Sequence, residues 1–80
     1  MFVVRDFIYR GAEGMHVYGA KIYAFSSKEQ GKAFVLDKIG ELEYEERGGR
    51  FYIIDKEYKE LLKERNQSWA TRKGYALEEI

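Results

Sequence analysis

One histidine, three serines, one threonine and no cysteine are all the imidazole, aliphatic hydroxyl and thiol chemistry that this 80-residue chain offers. His16 lies in a strand-like run, Ser26 and Ser27 open a helix pattern, and Ser68 falls within another. A catalytic serine needs an exposed, strained turn with a histidine and an acid in reach, and no spacing here supplies one. A metal site would have to join His16 to carboxylates, and none stands at a ligand spacing. Glu43 and Glu45 share one face of a strand pattern, but paired carboxylates do acid and base work only when their environments differ. Two glutamates on one wet face have the same environment. The expectation is a chain with no catalytic, cofactor-binding or metal-ligating residue, and not an enzyme.

The residue types that remain suit contact rather than reaction. The first forty residues interleave Arg5, Arg10 and Lys21 with Phe7, Tyr9, Tyr18 and Tyr23, and Arg47-Gly48-Gly49-Arg50 adds two further cations around a glycine pair. Aromatic rings flanked by basic residues stack and neutralise single-stranded nucleic acid, so Arg5, Arg10, Lys21, Arg47 and Arg50 are the candidates for that reading. Against it stand 14 Lys and Arg balanced by 14 Asp and Glu, which leave no global field to draw the chain onto a polyanion or an anionic membrane. The leading reading is protein–protein contact through Phe7, Tyr9, Tyr18, Ile22 and Tyr23. Apolar residues occupy both faces of the first two strand patterns, and tyrosine offers a contact surface a large apolar body with a polar tip. The chain is expected to act as an accessory factor or inhibitor, pairing with itself as a homodimer or with another protein. Charge is uneven along the sequence. Asp37, Glu41, Glu43, Glu45 and Glu46 oppose only Lys38, and Lys63, Arg65, Arg72 and Lys73 oppose only Glu64. Two solvated faces, or a complementary contact between copies, would follow.

These residues must be positioned by a small set of elements. Phe2 to Arg10 and His16 to Phe25 read as strands that pair as a hairpin across a loop bracketed by Gly11 and Gly14. Gly19, in mid-strand, marks a bulge or a close backbone approach. Ser26 with Glu29 reads as a capping box. The helix that follows carries Ala33, Phe34, Val35, Leu36 and Ile39 around most of its circumference, which predicts burial, and it stops at Gly40. Leu42 and Tyr44 alternate with glutamates as a half-buried strand. Gly48-Gly49 as a type I′ turn sets Tyr44 opposite Ile53, Glu46 opposite Phe51 and Arg47 opposite Arg50. Asp55 caps a last helix with Tyr58, Leu61, Leu62, Arg65 and Trp69 along one stripe, and Gly74 stops it, leaving residues 75–80 as a loose tail.

The order predicted is ββαββα, an α+β fold with a four-stranded, mainly antiparallel sheet and both helices packed on one face. A ββα unit with a serine cap recurs among small prokaryotic and phage-encoded proteins. Residues 1–80 make one domain, with no proline-rich linker because the chain holds no proline. The absence of cysteine removes a disulfide framework. The apolar start is interrupted by Arg5 and Asp6, so neither a signal peptide nor a membrane span is expected, and the cytoplasm is the expected location.

Overall fold

The computed structural model describes residues 1–10, 15–64 and 71–80. The β-branched and aromatic run after Met1 forms β1 (Phe2–Arg10), and β2 (Met15–Phe25) follows it. A helix, α1 (Lys28–Ile39), leads to the short β3 (Tyr44–Arg47) and β4 (Arg50–Ile53). A second helix, α2 (Lys56–Glu64), precedes β5 (Thr71–Glu79). The fold is α+β. Among the described residues the sheet has five strands rather than four, in the order β2-β1-β5-β4-β3, with every pairing antiparallel.

The added strand is the segment expected to be a tail. Thr71–Glu79 lies at the centre of the sheet, paired along β1 from Arg10↔Thr71 to Phe2↔Glu79 and along β4 from Tyr52↔Gly74 to Arg50↔Ala76. Gly74, expected to stop a helix, is instead a buried strand residue. A Cβ there would stand 2.5 Å from Phe7 Cζ and 2.7 Å from the Phe51 carbonyl oxygen, so this crossing of three strands tolerates no side chain. The two chain ends meet, with the Ile80 N–H donating to the Met1 carbonyl at 2.9 Å.

The helices lie on opposite faces of the sheet, not on one. Alternation along the strands sends Val4, Phe51, Ile53 and Tyr75 to one side, where Val35 and Ile39 of α1 meet them. It sends Phe7, Tyr9, Tyr52 and Ala76 to the other, where Tyr58, Leu61 and Leu62 of α2 close over them. A sheet covered on both sides explains why neither face of β1 is cleanly polar. The buried residues of α1 are Gly31, Val35 and Ile39, a single i, i+4, i+8 stripe, and Leu42 is exposed, so α1 is a half-covered helix and not a buried one.

Local chemistry follows the sequence closely. The Gly48-Gly49 turn has φ of 55° and 79°, as a type I′ turn requires, and the register is Tyr44↔Ile53, Glu46↔Phe51 and Arg47↔Arg50. The β1–β2 register shifts between Arg5 and Phe7, so that Gly19, Ala20 and Lys21 of β2 face Asp6 alone, the bulge that Gly19 announced. Asp55 caps α2, its Oδ1 accepting from the Tyr58 N–H at 3.2 Å. The cap of α1 falls one residue later than predicted. Ser27 is the N-cap and its Oγ accepts from the Gln30 N–H at 3.2 Å, while Ser26 Oγ donates to Gln30 Oε1 at 2.8 Å. The Gly11–Gly14 loop and helix positions Arg65 and Trp69 lie outside the described residues.

Candidate functional site

The five residues expected at a contact surface part company. Phe7 and Tyr9 are 1% and 6% exposed and form the core beneath α2, with ring centres 5.9 Å apart. Their removal from the surface has one cause: a helix on each face covers what two helices on one face would have left bare. Tyr18 is half-buried against the same cluster, its ring 5.7 Å from that of Phe7. Ile22 and Tyr23, by contrast, are 59% and 38% exposed. Tyr23 rests on the Phe34 ring of α1 at 4.7 Å, which fixes its orientation at the sheet margin.

All three residues that retain surface lie on β2, the outermost strand on its side. β2 pairs with β1 alone, leaving one row of its backbone N–H and C=O groups without a strand neighbour among the described residues. From Ile22 to Phe25 the pairing to β1 is regular, and Lys21, Ile22, Tyr23 and Ala24 are all exposed. Proteins blunt such edges with charges, prolines or bulges. Here Lys21 and the bulge guard one end of the stretch, and Ile22–Phe25 beyond them carries no charge.

The basic candidates separate by face. Lys21 lies on the α1 side, in a shallow hollow with Tyr23, Phe34, Lys38 and Lys73. On the α2 side the register draws one line across the sheet: Ile22 opposite Arg5, Arg5 opposite Ala76, Ala76 opposite Arg50, and Arg50 opposite Arg47. The Arg5 guanidinium stands 4.7 Å from the centre of the Tyr18 ring, and that of Arg47 stands 4.3 Å from Tyr52. Arg50 Nε donates to the Tyr18 hydroxyl at 3.1 Å, a bond that favours the charged form and raises the Arg50 pKa above its ordinary value. The side chains of Arg10 and His16 lie outside the described residues.

Elsewhere charge is paired within the fold. Lys59 donates to Glu43, Arg47 lies 3.3 Å from Glu45, and Lys32 lies 3.7 Å from Glu46, so the acidic segment meets cations of its own chain. Arg72 is bonded to the buried Asp55 carboxylate, tying the start of β5 to the cap of α2. The Tyr9 hydroxyl donates to the Ile53 carbonyl at 2.6 Å, and burial, with the neighbouring Tyr58 phenol, pushes the Tyr9 pKa up. The Asp55–Arg72 contact had no signal in the sequence, because residues 17 apart meet only once the last strand takes the centre of the sheet. Among the described residues, no group of three or more His, Asp or Glu is placed to hold a metal ion, and no helix is long and apolar enough to cross a membrane. No family model matches the chain, and no curated protein or solved structure matches it.

Proposed function

We propose that this chain is a small non-enzymatic protein of the cytoplasm that works by protein–protein contact, as an accessory factor or inhibitor, and that its partner is a second copy joined along β2. The observation that carries this reading is the open edge of β2 with Ile22 and Tyr23 exposed beside it. An unpaired edge is a template for another strand, and antiparallel addition of an identical strand generates a closed twofold pair.

The sequence of β2 disfavours a register centred on Lys21 and suits one centred on Ile22, which is more exposed than Tyr23. Pairing centred on Ile22 sets Ile22 against its own copy and Lys21 against Tyr23, so no like charges face one another. Centring on Lys21 would oppose two ammonium groups. Ile22 and Ala24 gain cover on one face, and Tyr23 and the stem of Lys21 on the other. Strand pairing with these contacts removes several hundred Å² of apolar surface at about 25 cal/mol per Å², against association costs of comparable size, which yields a weak to moderate dimer.

Analytical ultracentrifugation tests this. Wild type should show a mass rising toward twice 9.5 kDa across the micromolar range. Ile22→Glu should sediment as a folded monomer, because a carboxylate at the twofold meets its own copy. Leu42→Glu, an equal change at an exposed site far from β2, should dimerise like wild type. A wild type that remains monomeric into the high micromolar range, or an Ile22→Glu variant that dimerises unchanged, would overturn the proposal.

A further inference from the structure

The row through Arg5 has a property that the β2 edge does not account for. It places three guanidinium groups, on β1, β4 and β3, along one line of the α2-side face. With neighbouring strands about 4.8 Å apart, the line from Arg5 to Arg47 spans about 14 Å. Gathering like charges this way costs stability, directly so for the facing pair Arg47 and Arg50. No ion pair among the described residues involves Arg5 or Arg50, and the Arg5 Nε is buried without a hydrogen-bond partner.

The three side chains are held by tyrosines. Arg5 over Tyr18, Arg47 over Tyr52, and Arg50 bonded to Tyr18 are restrained by rings, and Arg47 also lies 3.3 Å from the exposed Glu45 carboxylate, whose place beside that guanidinium a phosphate would share or take. Carboxylates flank the line on both sides. Glu45 lies in the adjacent row with Tyr52, and Glu78 in the opposite adjacent row with Val3. Rows on one face are about 7 Å apart, so the positive track is one row wide. A polymer with one line of regularly spaced anions fits such a track. A duplex, whose two phosphate lines are separated by a groove about 6 to 12 Å across, would press one of them onto the glutamates.

The geometry points to a phosphate-binding track for single-stranded nucleic acid, formed by Arg5, Arg50 and Arg47 across β1, β5, β4 and β3. The track lies within one copy of the chain and does not depend on pairing through β2. Phosphate contacts of this kind position a strand without reading its sequence.

The test is fluorescence polarisation of a labelled oligothymidylate with wild type at a series of salt concentrations. Three neutralised phosphates predict a slope of log K against log salt of about −2, at about 0.7 per contact for single strands. Arg47→Gln and Arg50→Gln are the informative variants because both residues are exposed and their folding is checked by an unchanged thermal melt. Each should shrink the slope by about 0.7 and weaken binding several-fold at about 50 mM salt. Lys21→Gln with Lys73→Gln, on the opposite face, should leave the slope unchanged. No binding at low salt overturns the inference, as does a slope indifferent to Arg47→Gln and Arg50→Gln. Equal competition by polyglutamate would also overturn it, by pointing to an acidic protein, and equal affinity for a duplex of the same length would overturn the one-row track. Ile22→Ser, which removes the apolar contact at the β2 edge without setting a carboxylate opposite Arg5, should still bind the probe, which separates this test from that of the dimer.

Discussion

Ser27 rather than Ser26 accepts from the first turn of α1, and the difference is measurable. Ser27→Ala leaves an orphaned N–H at Gln30 and should cost about 1 kcal/mol in a denaturant melt. Ser26→Ala loses only an exposed hydroxyl bond to Gln30 and should cost no more than a few tenths. Equal losses, or the reverse order, would contradict the cap. The sequence placed a serine cap here, but Ser26-x-x-Glu29 and Ser27-x-x-Gln30 are both capping boxes, and a one-residue choice turns on where the preceding strand ends. Residue identities at Gly48, Gly49 and Asp55 left no such choice, since only one position in each stretch meets the backbone demand, and all three act as read.

At the scale of the element, α2 is the piece whose position the sequence concealed. Its stripe of Tyr58, Leu61 and Leu62 was legible, but a stripe states that a face is buried and not which side of a sheet buries it. The deciding element is β5. Its Tyr75 and Leu77 join the α1-side core and its Ala76 the α2-side core, so the strand presents apolar residues to both helices. Read after Gly74 as a tail, that run hid a two-sided sheet. The packing of α2 on β1 has a titrable consequence. Burial holds the phenols of Tyr58 and Tyr9 above their ordinary value of 10.0. The folded chain therefore keeps protons that the unfolded chain releases, so this contribution is fully present below about pH 10 and is lost as pH rises beyond it. Thermal melts from pH 7 to 11 should show a falling midpoint above about pH 10. Tyr58→Phe, which removes one phenol and keeps the ring, should flatten that fall while matching wild type near neutrality. An alkaline limb identical in the two proteins would place these phenols in water.

For the whole molecule, the two helices divide the sheet between its faces and leave the outer edge of β2 without a strand neighbour among the described residues. Face counting from sequence predicted bare aromatics on the first hairpin, and the fold buries Phe7 and Tyr9 in the monomer instead. What survives of that expectation is narrower and has a different basis. The surface residues are Ile22 and Tyr23, with part of Tyr18, and the contact proposed for them rests on a strand edge unpaired among the described residues rather than on an uncovered sheet face. The arginine row was half-legible. The Gly48-Gly49 turn fixes Arg47 against Arg50, but Arg5 reaches their line only through Ala76 of the central strand, which no local pattern announces. Pairing of β2 about Ile22 would set the rows of two copies end to end on one continuous face, joining the two proposals in one assembly. The measurement that bears most directly on the paired edge is a series of amide correlation spectra from low micromolar to millimolar protein. Shifts that move with concentration should cluster at Tyr18 to Phe25, with the β3–β4 turn unchanged. Spectra that do not change with concentration, or changes centred on β3 or α1, would contradict an edge-to-edge pair.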